Sequence, residues 1–206
     1  GCAAIKNGFN VIHYTFELTE TSTGLRYDSN ICQIPSNQVP ERKEEVIEYY
    51  KEHGEKLGKL MIKEYPTGTA TVQTLRSHIE KLSLKGFIPQ VLIIDYADIM
   101  RSSRQYDSMR HELKKVYEDL RNLAMEKNLP IWTASQSNRD SANSDIVGLE
   151  NMAESYGKAQ VADVVISISR KPAEKAEGFG RLYIAKNRAG RDGIVFPVKL
   201  NTAMSR

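Results

Sequence analysis

The sequence predicts an α/β fold, with a mostly parallel sheet flanked by helices and an antiparallel hairpin near the C-terminal end. An unbroken apolar run at residues 91–94 is typical of a strand buried on both faces of a parallel sheet. Helical and β-rich stretches alternate over the first two thirds of the chain. Two further β-rich stretches, at residues 181–187 and 193–200, flank Asp192-Gly193, a pair that favours a tight turn.

The individual elements follow from local patterns. Strands are predicted where β-branched and aromatic residues cluster, at residues 10–16, 59–65, 91–96, 130–135 and 161–169. Helices are predicted at residues 41–56, after the capping residue Thr71, and along an apolar stripe formed by Met109, Leu113, Val116, Leu120 and Leu123. Residues 19–37 and 171–180 are predicted as polar connections. Pro197 cannot donate to a ladder, so its strand should lie at a sheet edge.

The composition is that of an ordinary globular chain. Its 206 residues suit one domain with a substantial core, and 29 basic against 26 acidic residues neither demand nor exclude a nucleic-acid partner. Cys2 and Cys32 form no disulfide framework, which suits a reducing cytoplasm. No apolar run approaches the roughly 18 residues that a membrane span needs. The four histidines show no metal-ligand spacing.

Polar residues follow three of the predicted strands, namely Glu17, Asp95 and Gln136. Ligands of open α/β sheets bind beyond the carboxyl ends of the strands, so these side chains should lie near a ligand. One carboxylate can hold Mg²⁺ through water, another can activate water, and an amide can hydrogen-bond a phosphate oxygen. Taken alone, each residue is compatible with a solvated or capping role as well as with a role in ligand binding. The three together favour a phosphoryl-transfer site.

A basic loop follows the predicted strand at residues 91–96. Five basic residues face two acidic ones between residues 101 and 115, and the loop also carries Tyr106. Basic loops with an exposed aromatic residue suit a nucleic-acid backbone, although many charge runs are simply solvated.

Six short motifs resemble the motor domain of hexameric replicative helicases of the DnaB type, most closely those of T-even-like phages. In chain order they read YTFEL (14–18), GKLMIKEYPTG (58–68), LIIDY (92–96), TASQSNR (133–139), ADVV (162–165) and AKNRAG (185–190). The order and spacing match over nearly the whole chain. The resemblance implies a RecA-like fold, hydrolysis of ATP with Mg²⁺, and action in a bacterial host cytoplasm if the protein is phage-encoded.

The resemblance also implies roles for the residues at the strand ends. Glu17 matches the carboxylate that activates the attacking water, Asp95 matches the Walker B aspartate that serves Mg²⁺, and Gln136 matches the amide that links the γ-phosphate to the DNA loops. Arg170 stands where some members stack a basic side chain on adenine.

Lys186 and Arg188 match a pair that reaches the nucleotide of a neighbouring subunit, which requires a homo-oligomer, by resemblance a hexamer. The nearest acidic residue in the sequence is Asp192, which is committed to the turn, so neither cation has an obvious local acidic partner. Arg191 is interpreted as a solvated turn residue.

Implied DNA contacts lie in the loops after residue 100 and after residue 139, which line a central channel for single-stranded DNA. Arg101, Arg104 and Arg139 are the candidates there. Ala153 stands where bacterial relatives carry an arginine, so Lys158 or the backbone is a candidate to replace that contact. Primase and a helicase loader are further implied partners, and no membrane is implied.

The phosphate-binding loop of the family, GxxxxGK(S/T), does not occur in these residues. Residues 1–8 look like the end of a helix, so we expect residues 1–206 to be one N-terminally incomplete ATPase domain that is inactive alone. Two alternatives remain open. A RecA/RadA-like recombinase would form filaments, and a non-catalytic assembly or clamp-loading partner would lack the phosphate-binding loop in its complete sequence.

Overall fold

The structure, a computed structural model, describes residues 1–137, 146–149 and 156–205. Its helices are α1 (Cys2–Lys6), α2 (Glu20–Cys32), α3 (Lys43–His53), α4 (Val72–Leu84), α5 (Met109–Lys127), α6 (Tyr156–Val161) and α7 (Pro172–Glu177). Its strands are β1 (Val11–Thr15), β2 (Leu60–Glu64), β3 (Val91–Asp95), β4 (Ile131–Thr133), β5 (Val164–Ser169), β6 (Phe179–Asn187) and β7 (Val195–Lys199). Short 3₁₀ turns lie at Gly54–Lys56, Ala97–Ile99 and Thr202–Met204.

The first four strands form a parallel sheet in the order β2-β1-β3-β4. Thr15 at the end of β1 is level with Glu64 on β2 and with Asp95 on β3. The carboxyl ends of the three strands therefore meet at one edge of the sheet, as the predicted α/β fold requires.

Helices cover both faces of this sheet. Alternate side chains of β1 point to opposite sides and therefore pack against different helices. On one side, Ile12 and Tyr14 pack in a buried cluster with residues of α4 and α5 such as Leu75 and Leu123. On the other side, Val11 packs with residues of α1 and α2. The predicted α/β architecture is thus confirmed.

The last three strands form a separate antiparallel sheet in the order β5-β6-β7. The β6–β7 hairpin confirms the prediction, and its turn ends at Gly193, whose positive φ of 73° favours glycine. Pro197 lies on the edge strand β7, opposite Arg181 of β6, as predicted.

Several local predictions were wrong. Residues 19–37 contain α2, which begins after Thr19, whose hydroxyl accepts a hydrogen bond from the Ser22 amide at 3.1 Å. Residues 171–180 contain α7, and the strand predicted from residue 161 begins only at Val164. Met109, expected in the buried stripe of α5, is 66% exposed because it is the first residue of that helix.

Strands β4 and β5 are among those that carry exposed apolar side chains. Among the described residues β4 pairs with β3 alone, and its Trp132 is 56% exposed. Strand β5 pairs with β6 and exposes Ile168. No helix in the described ranges combines the length and apolar character needed to cross a lipid bilayer.

Candidate functional site

Glu17 and Asp95 lie at the carboxyl edge of the parallel sheet. The Phe16 amide, next to Glu17, donates to the Asp95 carbonyl at 2.9 Å. The buried hydroxyl of Thr15 accepts from the Leu18 amide at 3.1 Å and donates to the Leu18 carbonyl at 2.8 Å, which turns the chain directly after β1. This turn leaves Glu17 exposed beside the half-buried Asp95.

Gln136 contacts Tyr96, which lies in the electrostatic field of these carboxylates. The Gln136 Nε2 atom donates to the Tyr96 hydroxyl at 3.2 Å. Loss of hydration, followed by the nearby carboxylates of Glu17, Asp98 and Asp95, raises the pKa of Tyr96 above its usual range. The Tyr96 phenol thus stays protonated among the side chains that the strand ends predicted. Sequence reasoning gave Tyr96 no role, and its position directly after Asp95 was the one available signal.

The arrangement suits a magnesium-bound phosphate better than a metal held by protein ligands alone. Among residues 1–137, 146–149 and 156–205, no group of three or more His, Cys, Asp or Glu side chains could hold a metal ion. Mg²⁺ commonly binds one or two carboxylates and takes its other ligands from phosphate and water. Asp95 is the residue here that fits this mode.

Lys186 and Arg188 lie at the C-terminal end of α6. Lys186 Nζ donates to the carbonyls of Ala159 at 2.7 Å and Gln160 at 3.0 Å. The guanidinium of Arg188 donates to the Gln160 carbonyl at 3.3 Å. Both cations thus bind backbone oxygens that a helix end leaves unpaired.

Arg188 also has an acidic partner that sequence reasoning missed. Asp163 Oδ1 lies 3.0 Å from Arg188 Nη1 and 2.8 Å from Nη1 of Arg121. Asp163 lies 25 residues before Arg188 in the sequence, so it is not among the local acidic residues that were considered. Nothing in sequence spacing indicates this pairing, although Asp163 belongs to one of the motifs quoted above.

Positive charge exceeds negative charge in this cluster. Loss of hydration and then the neighbouring Arg188 lower the pKa of Lys186, against the opposing pull of Asp163. Arg188 and Asp163 are 48% and 60% exposed. Exposed ion pairs contribute about 0–1 kcal/mol, so Arg188 can exchange Asp163 for another anion at little cost.

Among the described residues, the two groups of predicted catalytic residues share no direct polar contact: no hydrogen bond or ion pair joins Lys186 or Arg188 to Glu17, Asp95 or Gln136. Arg170, the candidate adenine-binding residue, is half-buried and directly follows β5.

Two of the predicted DNA-binding residues lie on the surface. Arg101 and Arg104 are exposed on the loop between Met100 and α5. The Arg101 amide donates to the Ala70 carbonyl at 3.0 Å, which ties the start of this loop to the sheet edge. Arg139 and Ala153 lie outside the described residues, as does most of the predicted loop 139–150.

Lys158 is not available for the DNA contact expected of it. Its side chain is 0% exposed, and its Nζ atom lies 2.7 Å from Asp98 Oδ2. A cation without exposed surface cannot reach a DNA phosphate in this conformation. The prediction for Lys158 is therefore corrected.

Comparison with known proteins agrees with the fold and shows the family. The family model of the DnaB-like helicase C terminal domain matches residues 2–204. A DnaB-like replicative helicase of Enterobacteria phage T4 is 32% identical over 170 residues, which are 78% of this chain and 36% of that protein. The solved ATPase domain of G40P superposes with a TM-score of 0.84 at 17% identity, covering 100% of this chain and 76% of that one.

A second solved structure, of a DnaB-like replicative helicase described with its interactions with primase, has a TM-score of 0.82 at 16% identity. It covers 98% of this chain and 50% of that one. These two structures establish the RecA-like fold. The chain belongs to the DnaB-like helicase C terminal domain family. It spans about a third of the length of the phage T4 relative.

Proposed function

We propose that this domain is the ATP-hydrolysing motor of a replicative DNA helicase that translocates on single-stranded DNA as a ring. The observation that supports this most directly is the meeting of Glu17, Asp95 and Gln136 around Tyr96 at the carboxyl edge of the sheet. Family membership supports the replicative helicase class.

Within this proposal each strand-end residue has one task. Bound ATP with Mg²⁺ supplies the γ-phosphoryl group and the cation that neutralises its charge. Asp95 holds the metal, directly or through water. Glu17 accepts a proton from the attacking water, and the Gln136 amide hydrogen-bonds the γ-phosphate. Arg170 lies against the adenine.

The proposal requires two contributions from outside this set of residues. The phosphate-binding loop GxxxxGK(S/T) is absent from the 206 residues and must come from elsewhere in the complete protein. Arg188 and Lys186 complete the site of a neighbouring subunit. This is consistent with the lack of a polar contact between these cations and Glu17 among the described residues, and it requires a homo-oligomer, for which the family suggests a hexamer.

The proposal assigns binding of single-stranded DNA to the loop that carries Arg101 and Arg104. In the proposed ring this loop faces a central channel. Primase and a helicase loader are proposed partners of the complete protein, and we assign no described residue to either. The setting is the cytoplasm of a bacterial host if the protein is phage-encoded.

The complete protein provides the direct test. We expect ATP hydrolysis stimulated by single-stranded DNA, unwinding of a forked duplex, and closed six-fold rings in negative-stain images. Helical filaments with strand exchange would favour the recombinase alternative. Absence of hydrolysis, together with absence of GxxxxGK(S/T) from the complete sequence, would favour a non-catalytic assembly or clamp-loading partner.

Replacing Arg101 and Arg104 together by alanine should weaken binding of single-stranded DNA and flatten its salt dependence. Each lost phosphate contact lowers the log–log slope against salt by about 0.7, because fewer counterions are released. Fluorescence anisotropy across a salt series measures both quantities. The matched control replaces Lys43 and Lys51, which lie on α3, and should leave the slope unchanged. If the two double variants show equal salt slopes of DNA binding, the assignment of Arg101 and Arg104 to the DNA channel is wrong.

A further inference from the structure

A buried ion pair joins two segments that the proposed function leaves unconnected. Lys158 of α6 lies 2.7 Å from Asp98, which belongs to the 3₁₀ turn after β3, and the two side chains are 0% and 13% exposed. Burying an ion pair costs desolvation that the mutual attraction repays only when further hydrogen bonds satisfy both groups. The surroundings of this pair supply them.

The further bonds come from Ser135 and Tyr117. Asp98 Oδ2 accepts from the Ser135 hydroxyl at 3.0 Å, and Asp98 Oδ1 accepts from the Tyr117 hydroxyl at 2.6 Å. Lys158 Nζ also donates to the Ser135 hydroxyl oxygen at 3.0 Å. Burial and then the neighbouring Asp98 raise the pKa of Tyr117, so its phenol remains a hydrogen-bond donor. Fully satisfied networks of this kind are rigid.

One end of the network reaches the proposed nucleotide site. Ser135 directly precedes Gln136, so the Ser135 hydrogen bonds fix the backbone that carries the sensing amide. Asp98 follows Tyr96 by two residues, and Tyr96 accepts the hydrogen bond from Gln136. The network therefore anchors the backbone next to Gln136 and close to Tyr96, the two residues that form this contact.

The other end reaches the residues proposed to act on the neighbouring subunit. Lys158 belongs to α6, and the carbonyls of the next two residues in that helix accept hydrogen bonds from Lys186 and Arg188. One short helix thus carries both the anchor to Asp98 and the oxygen atoms that hold the two cations.

We propose that the Asp98–Lys158 ion pair is a positioning device that couples Gln136 to α6, and through α6 to Lys186 and Arg188. The inference rests on the proposed function. When γ-phosphate replaces Tyr96 as the partner of Gln136, the displaced strand end pulls on Ser135, and the ion pair carries that displacement into α6. Neither residue touches a reacting atom in this scheme. Connected networks carry such coupling when both sites bias one element, and here that element is α6.

A double variant separates coupling from stability. Asp98→Asn and Lys158→Met each leave one buried polar group without its partner and should lower the melting temperature strongly. The combined Asp98→Asn/Lys158→Met variant removes both charges, and the introduced amide can still bond Ser135 and Tyr117. We expect the double variant to regain most of the melting temperature of the wild type in the complete protein. Stimulation of its ATPase by single-stranded DNA should nevertheless fall about fivefold or more.

The matched control removes an ion pair that lies between α4 and α5. Lys127 Nζ is 3.0 Å from Glu80 Oε1, and Lys127→Met/Glu80→Gln should keep normal DNA stimulation. A double Asp98/Lys158 variant with normal stimulation would show that the pair is only structural and would overturn the proposal. A smaller salt slope of DNA binding for Lys158→Met would also overturn it, because Lys158 would then contact DNA directly. A wild-type protein without ATPase activity contradicts the proposed function itself, and the inference with it.

Discussion

Glu17→Gln in the complete protein should leave ATP binding nearly intact and reduce steady-state hydrolysis by about 10²–10⁴-fold. The reason is that glutamine keeps the size and polarity of the side chain but cannot accept a proton from the attacking water, which is worth about that factor in general base catalysis. Glu17 is exposed at the end of β1, so the substitution should not change the stability of the fold. Nucleotide titration and steady-state ATPase measured on the same preparation test the expectation.

The neighbouring strand offers a matched control. Glu64 ends β2, level with Thr15 of β1, and its Oε2 atom accepts from the Glu20 amide at 3.1 Å. Glu64→Gln retains an oxygen for that hydrogen bond and should hydrolyse ATP at the wild-type rate. Near-normal turnover by Glu17→Gln would remove Glu17 from the catalytic assignment. An equal loss in both variants would indicate a general effect of charge at this sheet edge.

Arg188→Ala should fold, bind ATP and assemble, yet hydrolyse ATP about 10³–10⁵-fold more slowly if it serves as an arginine finger. The fold should survive because Asp163 keeps its second partner, Arg121, at 2.8 Å. The guanidinium fork matches phosphate oxygens, and exchanging the exposed Asp163 for a neighbour's triphosphate costs little. Arg191→Ala, in the turn before β7 and also exposed, is the matched control and should be active.

Mixing two inactive variants decides between a role in cis and a role in trans. In rings assembled from Arg188→Ala and Glu17→Gln subunits, a trans arrangement restores sites that pair an intact Glu17 with an intact Arg188. ATPase activity should then partly return. A cis arrangement leaves one lesion in every site, so activity stays near zero. No recovery in mixtures shown to co-assemble would contradict the trans role, and much of the ring-motor proposal with it.

The sheet and its hairpin could be predicted because their patterns are strong and local. Strand β1 is rich in β-branched and aromatic residues, and β3 is an apolar run that ends in Asp95. Thr71 precedes α4 with the capping hydrogen bonds that its sequence suggests. Helix α2 could not be predicted in this way. Its buried residues include Thr23 and Ser29, so no apolar periodicity marks its packed face. Helix α7 is short and polar, although Pro172 begins it and Gly178 follows it.

In the candidate site, too, features with a local sequence signal could be predicted and features that depend on distant partners could not. Glu17, Asp95 and Gln136 could be placed at the carboxyl edge of the sheet because each stands at the end of a predicted strand or just after it, which is a local signal. The contacts of Lys158 and Arg188 could not be found, because each depends on a partner far away in sequence. Lys158 pairs with the carboxylate of Asp98, 60 residues earlier in the chain. Asp163 forms ion pairs with both Arg188 and Arg121. Charge in the sequence indicates that an ion must be satisfied somewhere, but the partner is decided only by packing.

The exposed Trp132 gives the domain its own optical probe. It is the only tryptophan in the sequence, it lies on β4, and it precedes Ser135 by three residues and Gln136 by four. Its indole emission therefore reports on the strand that leads to the proposed sensing amide of Gln136, without any attached dye. Any polypeptide that covers β4 shifts this emission to the blue, and nucleotide-dependent movement of the strand becomes visible as a change in quenching.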